Sequence, residues 1–408
     1  MQTSTYSKSY ALFLAALLTI CSASSGIVTN HPDAATPNDP HVVDGPIQID
    51  DLVVNFPFHR PPLNPDGIVE LDIVRTAEYP VGNCTGALIN TAEGPAVLTA
   101  AHCVAFNSLR QVKTEIKISG TPTPFQTCHK DDDPGCDLAP FVLVHPQYQN
   151  NVMRGHDLAL VFFEEPVPIL GTTRYRVAAA DLPLDGWRSF VKFGYGCSGN
   201  GLQGIDETDP SFYDHQLRWA MNSWDSNSLG SYGVTVGGQA FTNHGTQLTY
   251  DFDDGTDVDH NLYNFYGNTF DPKTAETYHY FTCFGPCGIQ GVEGSACRGD
   301  SGGPNFIYDE TAGRWVIRAV TSYALRMDDD WNGFHGNSDI DGPGTGAFGR
   351  NISVGEFGGD ALVTPAEVST VLATPRVSAG KLSRDEMHHN GLGLGLAAPE
   401  ERSATTTR

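Results

Sequence analysis

The sequence predicts an all-β protein, and three observations support that fold class. Residues 112–118 alternate apolar and polar side chains, which is the period of a strand with one solvated face. Short apolar runs bounded by polar residues, typical of buried strands, are the second observation. They occur at 141–144, 158–163, 190–193 and 315–323. Glycine (44 residues) and proline (26 residues) supply many turns without reaching a disordered composition, and many short strands joined by turns indicate a sandwich or a barrel.

The length of the chain indicates how large a core it can bury, and its net charge excludes some classes of partner. A chain of 408 residues can bury a large core in more than one folded lobe. The net charge of −24 repels nucleic acid and anionic membranes, so neither is expected as a partner. We attribute the acidity to solubility, because acidity alone does not identify a substrate.

The first residues have the pattern of a secretory signal peptide. Lys8 precedes an apolar run over residues 11–23 that ends in small residues and is too short to cross a bilayer. We therefore predict a signal peptide over residues 1–25 and an exported, extracellular protein. Residues 26–45 begin with a stretch rich in Pro, Asp, Asn and Thr that has no periodicity, and we predict a propeptide or a linker there.

The chain has nine cysteines, of which Cys21 would leave with the signal peptide. The even number that remains is typical of disulfides in an oxidising compartment. Cys128 and Cys136 bracket a short acidic turn and are predicted to form a local disulfide. Four further cysteines lack the paired Cys-x-x-Cys spacing of a zinc site, so disulfides are favoured, with all three pairings open. They are Cys197, Cys283, Cys287 and Cys297.

Three separate stretches carry residues suited to nucleophilic catalysis. Residues 294–304 read Gly-Ser-Ala-Cys-Arg-Gly-Asp-Ser-Gly-Gly-Pro and place Ser301 among glycines that permit a sharp turn. Serine is a weak nucleophile that needs a base and an orienting acid. His102, in Thr-Ala-Ala-His-Cys, and Asp157, in Gly-His-Asp-Leu-Ala-Leu, could supply them. The chain order His, Asp, Ser differs from the orders in subtilisin-like enzymes and in α/β-hydrolases.

Together, these three stretches resemble the trypsin/chymotrypsin family of serine endopeptidases. The resemblance implies two packed six-stranded antiparallel β-barrels of chymotrypsin type, with the active site in the cleft between them and a short C-terminal helix. The first barrel is expected over residues 46–180 and the second over residues 181–375. An acidic, Gly/Asn-rich insertion is expected at about 198–282, where 216–219 and 248–253 resemble segments of secreted bacterial-type members.

A helix is predicted near the C-terminal end, in agreement with this fold. Residues 364–367 read Thr-Pro-Ala-Glu, which combines an N-cap, a proline in the first turn and a glutamate three residues after the cap. Apolar residues then recur on one face until about residue 373. Residues 376–408 are mostly Gly, Ser, Thr and charged residues and are predicted to be a disordered tail.

The resemblance also implies roles at the active site. His102 would take the proton from Ser301 as general base, and Asp157 would fix the tautomer of the imidazole and stabilise its cation. The backbone N–H groups of Gly299 and Ser301 would bind the oxyanion. Asp300 would pair with the α-amino group that cleavage of a zymogen creates. No metal and no cofactor is predicted.

The substrate pocket is also aligned through the resemblance. The position that reads charge in the family, six residues before the nucleophile, is Ser295, so a preference for Lys or Arg is not expected. Ser322, Tyr323 and Ala324 align with the segment that pairs with the substrate backbone, and Ala324 stands where a glycine usually lines the pocket. Gly346 is aligned with the opposite wall. A narrowed, uncharged pocket favours small or medium apolar side chains before the cut.

Two features of the resemblance concern maturation and disulfides. It implies a Cys84–Cys103 disulfide, but it also implies a partner cysteine after the nucleophile, and no cysteine follows Ser301. Residues 42–45, Val-Val-Asp-Gly, are loosely similar to the mature start of family members. No Lys or Arg precedes them, so tryptic activation at that point is not expected.

Other polar residues are given ordinary interpretations. Acidic turns at 251–255 and 337–342 are similar to calcium-binding loops, but each departs from the ligand pattern, and solvated turns are favoured. His145 and His156 are expected to be surface residues without a catalytic role.

The sequence therefore predicts a secreted serine endopeptidase that hydrolyses peptide bonds through an acyl-enzyme intermediate. Its partner would be a protein or peptide substrate, and we expect a monomer. Two alternatives stay open: a catalytically silent protease-fold protein that binds or regulates, and an esterase that uses the same three residues. Serine-directed labelling distinguishes the first alternative, and ester against peptide turnover distinguishes the second.

Overall fold

The computed structural model describes residues 27–29, 42–43, 45–48, 60–74, 82–105, 115–118, 141–162, 173–180, 182, 189–200, 205–206, 213–224, 235–236, 239–240, 246–252, 294–325, 351–352 and 357–374. These residues form mostly short strands, as the all-β prediction requires. Several predicted features lie outside them, namely the signal peptide, the tail 376–408, the acidic turn 337–342, Gly346, Cys128, Cys136, Cys283 and Cys287.

The strands of the described residues are short, and most belong to one of two sheets. They are β1 Val28–Thr29, β2 Ile68–Val74, β3 Gly82–Thr91, β4 Gly94–Thr99, β5 Glu115–Ile118, β6 Phe141–Val144, β7 Ala159–Phe162, β8 Ser189–Gly194, β9 Gly199–Asn200, β10 Ile205–Asp206, β11 Arg218–Ser223, β12 Thr235–Val236, β13 Gln239–Ala240, β14 Gln247–Asp251, β15 Gly294–Ser295, β16 Pro304–Asp309, β17 Arg314–Leu325, β18 Asn351–Ile352 and β19 Phe357–Leu362. The helices are α1 Ala101–Val104 and α2 Pro365–Leu372, with a 3-10 turn at Val152–Arg154.

The first sheet has the strand order β5-β2-β3-β4-β7-β6, and its neighbouring strands are antiparallel. The β3–β4 hairpin turns at Gly94, whose φ of 118° is a conformation that favours glycine. Leu71, Val97 and Val161 are fully buried in one cluster on this sheet. Strands β5, β6 and β7 lie within the alternating and apolar runs that predicted them.

The second sheet has the strand order β11-β8-β16-β17-β19-β14 and is also antiparallel. Its first and last strands, β11 and β14, lie in contact, which curls the sheet toward a barrel. Both strands fall within residues 198–282, so the stretch expected to be an insertion contains two strands of the second sheet. Two six-stranded antiparallel sheets with a short C-terminal helix confirm the predicted chymotrypsin-type double barrel.

Apolar side chains of the two sheets meet in one core that fixes how the sheets dock. Leu98 of β4 packs in the same buried cluster as Phe193 of β8 and Phe306 of β16. The rings of Phe193 and Phe306 meet edge to face, with centroids 5.8 Å apart. The helix α1 and the strand β7 are connected to the first sheet, whereas the loop before β16 is connected to the second. The packing of this core therefore sets the distances between the predicted catalytic residues.

The C-terminal helix α2 begins as its sequence predicts. The Thr364 hydroxyl accepts the backbone N–H of Glu367 at 3.1 Å, and Pro365 occupies the first turn. The Glu367 carboxylate points away from the cap: its Oε2 lies 2.7 Å from Nε2 of His145 and 3.6 Å from Nδ1 of His156. The two imidazole rings stack at 4.6 Å, and His145 is 1% exposed. The expectation of a surface position is therefore wrong for His145, whereas His156 is partly buried, and both contact α2 from the segment between β6 and β7.

The carboxylate of Glu367 should make the stability of the fold depend on acid pH. Its close contacts with His145 and His156 lower its pKa from 4.5 to about 2. Because the folded pKa lies below the unfolded one, the stabilisation is complete above about pH 4.5 and is lost as the pH falls toward 2. We expect Glu367→Gln to lower the Tm at pH 7 by about 2–4 °C and to have little effect near pH 2. Thermal melts across this pH range test it.

A matched control is available on the surface. Glu310→Gln removes the ion pair between Glu310 and Arg60, whose charged atoms lie 2.8 Å apart. The side chain of Glu310 is 53% exposed. Exposed pairs contribute little to stability, so this variant should melt close to the wild type at every pH. If Glu367→Gln and Glu310→Gln lower the Tm equally at pH 7, the contacts of Glu367 with the histidines stabilise the fold no more than an exposed ion pair does.

Candidate active site

His102 lies in the short helix α1, which directly follows β4. A helix of four residues is not stable by itself, so its position depends on tertiary contacts. Cys84 of β3 and Cys103 form a disulfide with an S–S distance of 2.09 Å, which is the pairing that the resemblance implies. The side chain of His102 keeps 26% of its surface exposed. The imidazole is therefore anchored at its base and still reachable by a substrate.

Asp157 is fully buried just before β7, and it is held from both sheets. Gly155 (φ 81°) and His156 (φ 57°) form the turn that directs it inward. Its Oδ1 accepts the backbone N–H of His102 at 2.8 Å, and its Oδ2 lies 2.7 Å from Nδ1 of the same residue. The hydroxyl of Ser322, from β17, donates to Oδ2 at 2.5 Å. This arrangement favours the tautomer with hydrogen on Nδ1, so that Nε2 is the nitrogen able to accept a proton.

The loop around Ser301 requires its glycines. Gly299 (φ 105°) and Gly302 (φ 81°) have conformations that other residues rarely adopt. A Cβ on Gly299 would lie 2.7 Å from the Cα of Gly196, and a Cβ on Gly302 would overlap the hydroxyl of Thr99. The Gly-Asp-Ser-Gly sequence is thus needed for the backbone to fit between the two sheets.

Thr85 of β3 is fully buried and joins the Ser301 loop to the first sheet. Its N–H donates to the carbonyl of Ser301 at 2.8 Å, and its hydroxyl donates to the carbonyl of Gly299 at 2.9 Å. The same hydroxyl accepts the backbone N–H of Tyr195 at 3.0 Å. One residue, through its backbone and its side chain, therefore ties both predicted oxyanion residues to a strand of the opposite sheet.

A second disulfide joins Cys197 to Cys297. It is one of the three pairings that the sequence leaves open, and it links the end of β8 to the loop that carries Ser301. The N–H of Cys297 donates to the carboxylate of Asp300 at 2.7 Å, and the N–H of Gly196 donates at 2.8 Å. Burial raises the pKa of Asp300 to about 6, although these hydrogen bonds oppose the shift.

The segment beside Asp300 is not the one that the sequence suggests. Ile27 is 1% exposed, and its backbone makes a hydrogen bond with the Asp300 carboxylate. Val28 pairs in β1 with β15 on one side and with β9 on the other. Val42, aligned with the mature start, instead bridges to Arg218. The signal for this site is the Ile27–Val28 pair directly after the predicted signal peptide.

The described residues of the predicted pocket lie on β15 and β17. Ser295 is fully buried, Ser322 and Tyr323 are nearly so, and Ala324 is partly exposed. Ala324 pairs across to Gly358 of β19, a residue that sequence reasoning did not single out. Gly358 is thus a described glycine that lies across from Ala324, and the alignment of Gly346 with the opposite wall stays a prediction.

A cluster of buried polar side chains, which the sequence does not predict, lies behind these residues. Lys192, Tyr250 and Asp360 are each 0% exposed, and they come from β8, β14 and β19. The signal for it is a charged residue within a buried strand, such as the lysine inside the apolar run 190–193.

Two groups of potential metal ligands occur among the described residues, and neither fits an ion well. One contains the cysteines of the β3–α1 disulfide, which offer no thiolate. The other is the cluster of His145, His156 and Glu367. The N–H of Gln147 donates to Nδ1 of His145 at 3.2 Å, so a neutral His145 carries its proton on Nε2, toward Glu367. A metal on that nitrogen would move the proton to Nδ1, against the Gln147 N–H.

Comparison with known proteins agrees with this geometry. Residues 71–223 match a family model described as Trypsin. A protein named Trypsin zeta from Drosophila erecta is 29% identical over 244 residues, which cover 59% of this chain and 66% of that protein. Trypsin zeta from Drosophila melanogaster is 25% identical over 254 residues, covering 62% of this chain and 70% of that protein. Both relatives are insect proteins, and the weaker resemblance to bacterial-type members stays a prediction.

Within the residues that the structure describes, no helix is long and apolar enough to cross a membrane. The two antiparallel sheets, the disulfides, the buried Asp157 beside His102 and the match to the Trypsin model point to one family. Over residues 71–223 the chain is similar to the trypsin/chymotrypsin-like serine proteases, and its two antiparallel sheets agree with that similarity.

Proposed function

We propose that the protein is a serine endopeptidase whose catalytic residues are His102, Asp157 and Ser301. The observation that carries the proposal is the contact of 2.7 Å between Nδ1 of His102 and the fully buried carboxylate of Asp157. A carboxylate that contacts Nδ1 of an imidazole fixes the tautomer whose Nε2 can accept a proton. His145 also has a carboxylate partner, but it is buried, whereas 26% of the His102 side chain is exposed to a substrate.

The reaction proceeds in two halves. The hydroxyl oxygen of Ser301 attacks the carbonyl carbon of the substrate while Nε2 of His102 takes the hydroxyl proton. The C–N bond then breaks, His102 returns the proton to the leaving amine, and an ester joins Ser301 to the acyl group. A water molecule, deprotonated by His102, attacks the carbonyl carbon of this ester. The bond between that carbon and the Ser301 oxygen breaks, the acyl group leaves as a carboxylic acid, and His102 returns the proton to Ser301.

The developing oxyanion is bound by the backbone N–H groups of Gly299 and Ser301. The positive φ of Gly299 and its bond to Thr85 support this role, because they hold the loop in one conformation before a substrate arrives. Donors that are fixed in advance stabilise the transition state without reorganisation, and one such donor contributes about 3 kcal/mol in other enzymes.

The substrates are proteins or peptides, and the preferred residue before the cut has a small or medium apolar side chain. Ser295 supplies no carboxylate to pair with Lys or Arg, and burying an unpaired cation is costly. The protein acts outside the cell. Two described disulfides support this location, since such bonds persist in oxidising compartments.

Labelling with a fluorophosphonate tests the proposal. We expect the wild-type protein to form one covalent adduct, and digestion followed by mass spectrometry should place it on the Ser301 peptide. Ser369→Ala, at an exposed position of α2, is the matched control and should label like the wild type. A folded protein that takes up no label would favour the silent binding protein instead.

A further inference from the structure

The buried cluster of Lys192, Tyr250 and Asp360 lies directly behind the predicted pocket. The Lys192 ammonium donates a hydrogen bond to the Tyr250 hydroxyl. The indole N–H of Trp224 donates to the Asp360 carboxylate at 2.7 Å, and the charges of Lys192 and Asp360 attract each other. Charged groups are rarely buried unless they are paired, so these contacts keep the side chains of the cluster in fixed positions.

The contact with Lys192 fixes the position of the phenol ring of Tyr250. Tyr250 pairs directly across from Gly358, and a Cβ on that glycine would overlap Cζ and Oη of the ring. Its hydroxyl also lies beside the Ala296 backbone and the Ser295 side chain, which both affect its pKa. The ring therefore fills the space between the predicted pocket base at Ser295 and the strand that faces Ala324.

The burial of Ser295 agrees with this position of the ring. Ser295 is 0% exposed, so even a water molecule does not reach the residue that was aligned with the pocket base. A substrate side chain long enough to touch Ser295 would have to displace Tyr250. Displacement would separate the phenol from Lys192, whose pKa of about 8, lowered by burial, still leaves it mostly charged at neutral pH. Leaving that ammonium without its acceptor is unfavourable.

We propose that Tyr250 occupies the primary specificity pocket and is the residue that limits the side chain before the cut to the smallest ones, Gly, Ala and Ser. The proposal rests on the proposed endopeptidase function and narrows its substrate class.

The test compares Tyr250→Ala with Tyr250→Phe on peptides that differ only in the residue before the cut, which is Ala, Phe or Arg. Active sites are first counted with the fluorophosphonate, so that kcat/KM refers to competent enzyme. We expect the wild type to favour Ala over Phe by at least tenfold. Tyr250→Ala should raise the Phe-to-Ala ratio of kcat/KM by at least tenfold, because the ring is removed. Tyr250→Phe keeps the ring and should change that ratio less than threefold.

Several outcomes would overturn the proposal. They are a wild type that cleaves after Phe or Arg as well as after Ala, and a folded, titratable Tyr250→Ala enzyme whose Phe-to-Ala ratio stays within threefold of wild type. If Tyr250→Ala does not fold, the double variant Tyr250→Ala/Lys192→Met removes the ammonium that has lost its acceptor and is subject to the same criterion.

Failure of the proposed function would be recognised separately. If the wild type neither labels nor cleaves, the pocket is tested by binding alone, using acetylated tetrapeptides that end in Ala or Phe. Isothermal titration should then show at least tenfold tighter binding of the Phe peptide to Tyr250→Ala than to the wild type. Equal affinity of both proteins for that peptide would overturn the assignment of Tyr250.

Discussion

Ser301→Ala is expected to lower kcat/KM for peptide hydrolysis by about 10⁵-fold or more while leaving the fold intact. The methyl group offers no nucleophile, so the acyl-enzyme cannot form, and only binding and the oxyanion donors continue to act. Ser301 lies at a turn, and its contact with the first sheet uses its backbone carbonyl, which alanine retains. Circular dichroism and the Tm should therefore match the wild type.

The measurement is initial-rate kinetics on an Ala-containing peptide, with the enzyme purified away from any host protease. Ser369→Ala serves as the control, because it makes the same chemical change at an exposed position of α2. Retention of more than about 1% of the wild-type rate by Ser301→Ala would mean that another residue is the nucleophile.

Asp157→Asn is expected to lower kcat by about 10⁴-fold with little loss of stability. The backbone N–H of His102 at 2.8 Å keeps an oxygen at the Oδ1 position, so the new NH₂ group must take the Oδ2 position. There it faces Nδ1 of His102 and forces that nitrogen to become an acceptor. The proton then moves to Nε2, and the imidazole can no longer accept the proton of Ser301.

Ser322→Ala is the matched control for this tautomer argument. It removes the hydrogen bond of 2.5 Å to Oδ2 but leaves the carboxylate and the tautomer of His102 unchanged. Losing one hydrogen bond to a charged group should cost about tenfold to a hundredfold in kcat. If both variants have the same kcat, or if Asp157→Asn stays within tenfold of wild type, the carboxylate does not set the tautomer.

The sequence was sufficient to predict the fold class and the candidate catalytic residues, because both leave local patterns. Strands β6 and β7 follow from short apolar runs, and α2 follows from a cap, a proline and a glutamate within residues 364–367. Ser301, His102 and Asp157 stand in sequence contexts that do not depend on the rest of the chain. The Cys84–Cys103 disulfide followed from the family resemblance.

Other features could not be predicted, because they depend on pairing between distant segments. Val28 lies between β9 and β15, and nothing near it in sequence indicates these partners. Tyr250 lies in a stretch that was interpreted as part of an insertion, and its role depends on Gly358 of another strand. His145 was expected on the surface, but its burial requires the approach of α2.

The hydrogen bonds of Thr85 have a consequence for heat inactivation. Both predicted oxyanion residues lie in the loop before β16 of the second sheet, but Thr85, which holds their carbonyls, belongs to β3 of the first sheet. A slight sliding of the two sheets would therefore disturb the oxyanion loop while every strand keeps its own ladder of hydrogen bonds. Turnover should then fall at temperatures where the circular dichroism signal is still native, so residual activity is a more sensitive measure of sheet docking than the melting curve.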